Sequence, residues 1–97
     1  MPTPLTIVAT IQALPGKEDI VEKALLAVIA PTLAEPGCLQ YDLHRDLQKP
    51  GLFLYYENWA TREEWDAHML SDHLAAMKVA TDGLLEGIII YQMKLID

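Results

Sequence analysis

Two periods of apolar residues organise this chain, one typical of strands and the other typical of helices. Runs rich in β-branched and aromatic residues cover 5–13, 39–46, 52–59 and 87–96, and the second run alternates apolar and polar residues with period two. Apolar residues recur at helical spacing in the segment after the first run and in the segment before the last run. The predicted order of elements is therefore β-α-β-β-α(α)-β.

The helical segments also contain signals for where helices begin and break. Thr61 and Glu64 form a Thr-x-x-Glu capping box, and Ser71 is a second candidate N-cap, which predicts two helices in the later segment. Pro31 falls late in the earlier segment and predicts a kink or a restart of that helix. The apolar positions expected to face the core from the earlier segment are Ile20, Val21, Ala24, Leu25, Val28 and Ile29.

This order of elements is the split β-α-β, ferredoxin-like arrangement of the α+β class, with a four-stranded antiparallel sheet and helices on one face. The third and fourth predicted strands are apolar on both faces, most plainly over 88–91. Helices cover only one face of such a sheet, so we expect a second copy of the chain to pack against the other face. Residues 1–97 are expected to form one domain.

Composition and charge narrow the range of partners. The chain is 52% apolar with a mean hydropathy of +0.15. A domain of this size buries only about two thirds of its unfolded surface, which again favours a homodimer. The net charge is −7, and the seven Lys and Arg residues are scattered. Binding to phosphates requires clustered basic residues, so neither nucleic acid nor an anionic membrane surface is an expected partner.

Cysteine content and the first residues bear on the compartment. Cys38 is the one cysteine, so no disulfide can form within the chain, and a reducing compartment is expected. The first residues lack a basic segment followed by a long apolar run, and no apolar run approaches the roughly 20 residues of a membrane helix. The predicted location is the cytoplasm, with no membrane partner.

Candidate chemistry concentrates where the third predicted strand meets the next helix. Residues 57–73 contain both tryptophans and two of the three histidines. His68 follows Trp65 by about one helical turn, which predicts that it faces the sheet and makes it the first candidate for a catalytic base. Trp59, Trp65 and His73 are candidates for binding a substrate. Large aromatics are more often core residues, and a histidine in the first turn of a helix is easily exposed, so both alternatives stay open.

His44 and Glu57 complete the candidate catalytic set. His44 lies on the polar face of the second strand, and a turn at 49–51 is expected to bring it close to Tyr55 and Glu57, with Glu57 and Trp59 on the same face as His44. A base, an acid and an aromatic wall would then share one face. An ordinary cross-strand polar pair is the alternative. Glu57 lies within an apolar strand, where a carboxylate requires a partner or a raised pKa, so it is either a base or half of a structural salt bridge.

The tyrosines are secondary candidates for contacting a substrate, and the sequence predicts neither a metal site nor a cofactor. Tyr41 and Tyr55 are predicted packing residues, and either can also donate a hydrogen bond into a pocket and contact a substrate there. No metal site is predicted, because His68 and His73 lie on two sides of a helix break and no acid is placed to face both. No Gly-rich phosphate loop is present for a nucleotide, so no cofactor is expected.

Four motifs occur in order along the chain. They are Pro15-Gly16-Lys17, the stretch 35–46, Tyr56-Glu57-Asn58-Trp59 and the stretch 66–73. Together they resemble the antibiotic biosynthesis monooxygenase (ABM) domain family, in particular its small stand-alone bacterial members, often called quinol monooxygenases. The resemblance covers essentially the whole chain and implies a dimeric α+β barrel with a pocket in each subunit between sheet and helices. It also implies oxidation of a small hydroxyaromatic or quinol by O2 without a metal or prosthetic group.

Haem degradation, another activity in this family, is not expected here. Haem-degrading relatives have a histidine in the last helix and a tryptophan in the preceding one, where this chain has Met77 and His68. The first strand also lacks their asparagine and reads Val8-Ala9-Thr10. Fold alone does not determine function. Two alternatives to a monooxygenase stay open: an isomerase or tautomerase of a small carbonyl compound, and a non-catalytic dimeric domain that binds a small ligand.

Overall fold

The computed structural model describes residues 3–97 of the chain. They contain four strands and four short helices. In chain order they are β1 (Leu5–Ala13), α1 (Glu18–Leu26), α2 (Ile29–Leu33), β2 (Cys38–Arg45), β3 (Leu52–Trp59), α3 (Arg62–Met69), α4 (Asp72–Ala80) and β4 (Leu85–Lys94). The sheet is antiparallel with the strand order β2-β3-β1-β4. The predicted ferredoxin-like order is confirmed. Met1 and Pro2 of the predicted domain 1–97 lie outside the described residues.

One face of the sheet, here called the inner face, is buried together with residues of the helices. Side chains alternate between the two faces of a strand, and the inner positions of β1 and β3 are almost fully buried. These positions include Ile7, Ala9, Ile11, Phe53, Tyr55 and Trp59. Val21, Leu25 and Leu74 of the helices and Val28, in the turn between α1 and α2, belong to the same core. Period-two and helical patterns in the sequence thus meet in one hydrophobic layer.

The predicted helix starts and the predicted helix break are found in the structure, whereas one predicted core position is exposed. The first helical segment breaks after α1, and Pro31 lies in the first turn of α2, where its missing N–H needs no partner. The hydroxyls of Thr61 and Ser71 accept hydrogen bonds at the N-termini of α3 and α4, as expected for N-caps. The expectation that Ile20 faces the core is wrong, because it is 55% exposed. Within residues 3–97 no helix has the length and apolar character needed to cross a membrane.

The opposite face of the sheet, here called the outer face, presents exposed apolar side chains. On the edge strand β4, Ile89, Tyr91 and Met93 are 55%, 43% and 46% exposed. They lie beside Val8 and Thr10 of β1, because Tyr91 pairs with Val8 and Ile89 pairs with Thr10. Exposed apolar side chains that adjoin one another in this way are a common feature of contact surfaces.

Gly37, just before β2, lies against Glu64 of α3. Comparing it with Gly16, which also has a positive φ, tests how much this contact contributes to stability. Gly37 has φ +81°, and a Cβ there would collide with the carboxyl group of Glu64, whereas Gly16 has φ +83° and open space around it. We expect Gly16→Ala to lower the free energy of unfolding by about 1–2 kcal/mol, the cost of a left-handed alanine. Gly37→Ala should cost more, because Glu64 must also move away from Thr61, whose hydroxyl donates to its Oε1 at 2.9 Å.

Urea unfolding of the two variants measures this difference. Both substitutions change the entropy of the unfolded chain equally, so that contribution cancels. Equal losses of stability in Gly16→Ala and Gly37→Ala would show that the Glu64 carboxyl makes no structural contribution at this junction.

Candidate active site

A small cavity lies between the inner face of the sheet and the helices α3 and α4. Its volume is about 70 Å³. It is lined by Ala9, Ile11, Tyr41, Tyr55, Glu57, His68, Met69, Leu74, Met77, Lys78, Ile88 and Ile90. A carboxyl, an imidazole, two phenols and the amine of Lys78 therefore meet in a cavity whose other lining residues are apolar, which is the usual composition of a small-molecule site.

His68 is held by a carboxylate that lies outside the cavity. Its Nδ1 lies 2.7 Å from Oε2 of Glu35, which follows α2 in the turn before β2. The same oxygen lies 2.8 Å from Nε2 of His73, near the start of α4. An ionised carboxylate only accepts hydrogen bonds, so each ring presents an N–H to Glu35. One oxygen atom thus links three elements that are distant in sequence.

This hydrogen bond determines which nitrogen of His68 is free to act as a base. A neutral imidazole that donates from Nδ1 has an unprotonated Nε2. Among residues 3–97, no hydrogen bond to Nε2 of His68 is found, while the ring lines the cavity. Burial lowers the pKa of His68, and the Glu35 carboxylate opposes that change. The ring is therefore a neutral acceptor of protons at the cavity wall.

Aromatic rings fix the orientation of His68. The ring of Trp59 lies 4.7 Å from it, centroid to centroid, and the ring of Tyr41 lies 5.4 Å away in an edge-on arrangement. Tyr41 in turn packs against Tyr55 at 4.7 Å, and the hydroxyl of Tyr55 donates to the backbone carbonyl of Leu25 at 2.6 Å. Side chains locked in this way hold a base in a fixed position.

Glu57 is a buried carboxyl with a single strong partner. Its Oε1 accepts a hydrogen bond of 2.9 Å from Nε1 of Trp59. Burial raises the pKa of Glu57 to about 7, against the opposing effect of the Trp59 hydrogen bond and with a further increase from the charge of Glu35. Burial and the nearby Glu57 also raise the pKa values of Tyr41 and Tyr55. Glu57 can therefore give or take a proton near neutral pH, whereas both phenols stay protonated donors.

The expected shared face of His44, Glu57 and Trp59 is wrong. In the β2–β3 pairing His44 is opposite Leu54, while Tyr41 is opposite Glu57. Directly opposed residues lie on the same face of a sheet, so His44 lies on the exposed outer face and Glu57 on the buried inner face. The register set by the turn decides this parity, and a shift of one residue reverses it.

The other seven predicted site residues divide into four that line the cavity and three that do not. His68, Glu57, Tyr41 and Tyr55 line it together. The remaining three do not line it: Trp59 supports His68 and Glu57, Trp65 is buried beneath the guanidinium of Arg62, and His73 contacts the same Oε2 of Glu35 as His68.

Glu35 is the residue of this candidate site that the sequence interpretation did not identify. The expectation that no acid faces both His68 and His73 is wrong, since Glu35 does so through one oxygen. The available signal was its place in the Glu35-Pro36-Gly37 turn at the start of β2, which indicates only where a helix ends. Its distance along the chain from both histidines gives no periodicity that could have linked them.

The ferredoxin-like fold makes this an α+β protein, and the small cavity between its sheet and helices is a candidate site for a small molecule. A model of the family described as antibiotic biosynthesis monooxygenase matches residues 4–80. The chain belongs to this family.

Several known proteins and solved structures are similar to this chain. The crystal structure of PA3566 from Pseudomonas aeruginosa is 38% identical, with a TM-score of 0.95 over 100% of this chain and 98% of that chain. "Putative monooxygenase Rv0793" of Mycobacterium tuberculosis is 31% identical over 88% of this chain and 83% of its own length. The protein sll1783 of Synechocystis is 29% identical over 67% of this chain, but the match spans only 44% of that longer protein.

Proposed function

We propose that this protein is a cofactor-independent monooxygenase that oxidises a small hydroxyaromatic, such as a quinol, with O2. One observation carries the proposal: His68 lines an aromatic cavity while its Nδ1 is held at 2.7 Å by Glu35. That arrangement is suited to removing a proton from a phenolic hydroxyl. Membership of the antibiotic biosynthesis monooxygenase family supports the same reaction class.

In the proposed reaction His68 is the general base and Glu35 is a positioning residue. Nε2 of His68 takes the proton of a substrate hydroxyl, and the Glu35 carboxylate stabilises the imidazolium that forms. The resulting aromatic anion gives up an electron to O2 far more readily than the neutral phenol does. A dry cavity walled by Tyr41 and Tyr55 limits side reactions with water.

The proposed reaction balances without an external reductant. A quinol and O2 yield a hydroxyquinone and water: one oxygen atom forms a C–O bond, and the other leaves as water with two substrate hydrogens. The substrate supplies all four electrons that reduce O2. Glu57, with a pKa of about 7, is placed to protonate a departing oxygen or to take the second proton.

A substrate must also enlarge the cavity. Its volume of about 70 Å³ is well below the roughly 300–1,000 Å³ of typical ligand pockets. The wall formed by Met77 and Lys78 of α4 with Ile88 and Ile90 of β4 is its most exposed part. Long unbranched side chains adapt readily, so we propose that the substrate enters between α4 and β4.

Incubation with a panel of quinols and other small hydroxyaromatics, with and without air, tests the proposed function. We expect O2 uptake above the uncatalysed rate, no product without air, and a product heavier than the quinol by one oxygen less two hydrogens. Conversion that continues without air would favour the tautomerase alternative. Saturable ligand binding with no turnover on any compound would favour the non-catalytic binding domain.

We further propose that two copies pack through their outer faces to form a dimeric α+β barrel. The exposed apolar positions Ile89, Tyr91 and Met93 lie on that face, beside the apolar Val8 of β1. A second copy presents the same exposed apolar face, and a twofold axis pairs two such faces, as in other twofold dimers.

A single charge on the outer face tests the dimer. We expect Ile89→Glu to convert the dimer to monomers at micromolar concentration, because each copy would bury a carboxylate in the apolar interface. Leu70→Glu is the matched control, since Leu70 is also exposed but lies at the end of α3. Sedimentation velocity distinguishes the states. A parent protein that is a stable, folded monomer under these conditions would contradict the proposed assembly.

A further inference from the structure

The cluster of Glu35, His68 and His73 has a property that the proposed oxidation does not use. One ligand atom from each residue, a carboxylate oxygen and two imidazole nitrogens, lies within 4.8 Å of the other two. Both nitrogens point at the same oxygen, at 2.7 and 2.8 Å. Three potential metal ligands from three separate elements therefore converge on one point.

The donor set and its spacing fit a first-row divalent cation. Two imidazoles and a carboxylate are ligands that Zn²⁺, Co²⁺, Ni²⁺ and Fe²⁺ share. With metal–ligand bonds of about 2.0–2.2 Å, neighbouring donors on one ion lie roughly 3.0–3.4 Å apart. The observed contacts of 2.7 and 2.8 Å need to lengthen by only a few tenths of an ångström. A rotation of the Glu35 side chain lengthens these two contacts, and the two imidazole nitrogens, which lie within 4.8 Å of each other, must reach the same spacing.

Neighbouring side chains hold the residues of the cluster in place, and solvent can reach two of the three. Trp59 and Tyr41 hold the ring of His68, and the Ser71 cap fixes the start of α4 next to His73. The side chains of Glu35 and His73 are 16% and 22% exposed, so a cation can reach them from solvent without crossing the cavity. The net charge of −7 raises the local concentration of cations around the protein.

We propose that Glu35, His68 and His73 bind one first-row divalent cation of the Zn²⁺ type, with water in the remaining coordination positions. The hydrogen-bonded cluster and the metal-bound cluster are alternative states of the same three side chains. In the metal-bound state Nδ1 of His68 is a ligand, so the one ring proton resides on Nε2. If His68 is the base of the proposed function, the cation blocks proton uptake and inhibits turnover.

Zn²⁺ titration of the untagged protein against a chromophoric chelator tests the site without a substrate. We expect one equivalent of Zn²⁺ per chain. His73→Gln should weaken binding by more than about tenfold, since even outer partners of metal ligands contribute 10–100-fold. His44→Gln is the matched control, because His44 is on the outer face and should leave affinity unchanged. A Cys38→Ser variant should bind like the parent, which excludes the lone thiol as the ligand.

A second measurement uses Co²⁺ and does not depend on any variant. Co²⁺ bound to two imidazoles and a carboxylate should give visible d–d absorption bands that saturate at one equivalent. The absence of saturable binding, or equal affinity in His73→Gln and the parent, would overturn the proposal and leave a hydrogen-bonded cluster only. One-equivalent binding without inhibition of turnover would support the metal site and contradict the role of His68 as base.

Discussion

Replacing His68 with alanine is expected to slow quinol oxidation by about 10²–10⁴-fold, the usual contribution of a positioned general base. The reason is geometric: among the described residues, His68 is the cavity-lining imidazole, and Glu35 holds it in the tautomer that can accept a proton at Nε2. O2 uptake on the best quinol of the panel measures the effect. Free imidazole should restore part of the rate, because the substitution leaves room for it beside Trp59.

Two variants make this result specific to the base. His44→Ala removes an imidazole from the outer face and should keep the parent rate, since His44 does not reach the cavity. Glu35→Gln should lower kcat with little change in KM, because Glu35 orients His68 without lining the cavity. Circular dichroism establishes that each variant is folded. Parent-like turnover in folded His68→Ala would remove His68 from the mechanism.

Glu57→Gln is expected to stabilise the protein by up to about 3 kcal/mol at pH 8 and to change little at pH 4.5 or below. Burial raises the pKa of Glu57 from 4.5 to about 7 on folding, so the folded state holds this proton more tightly than the unfolded state. The free energy of unfolding therefore falls as pH rises from about 4.5 through 7. Each pKa unit corresponds to about 1.4 kcal/mol, which gives the stated limit.

The glutamine variant removes this dependence without removing the local hydrogen bond. Its amide oxygen can still accept from Nε1 of Trp59, as Oε1 of Glu57 does. Urea unfolding at pH 5 and pH 8 measures the difference, and Glu86→Gln, an exposed position on β4, controls for the change in net charge. A gain in stability from Glu57→Gln that is no larger at pH 8 than at pH 5 would show that Glu57 is ionised throughout this range.

Much of the fold follows from patterns that are local in sequence. The alternation from Leu39 to Asp46 predicts β2, and the capping hydroxyls of Thr61 and Ser71 predict where α3 and α4 begin. Each of these signals depends on neighbours within about one helical turn, where chain geometry leaves few alternatives. Membership in the antibiotic biosynthesis monooxygenase family was also predictable, because its motifs occur in order along the chain.

The candidate site was only partly predictable, because it depends on contacts between distant residues. His68 was expected to face the sheet, and it does so on the wall of the cavity. The face on which His44 lies depends on the β2–β3 register, which the turn determines and the strand pattern does not. Glu35 contacts His68 and His73 across 33 and 38 positions of the chain, a relation that only the packed helices create.

The central claim, that O2 supplies the oxygen atom inserted into a hydroxyaromatic, is tested most directly with isotopically labelled oxygen. Purified protein freed of metal is incubated with the best quinol under ¹⁸O2, and the product is analysed by mass spectrometry. The account predicts one ¹⁸O atom per hydroxyquinone, a second in water, and loss of this product in His68→Ala. Unlabelled product, or formation of hydrogen peroxide with no oxygen inserted, would contradict the account.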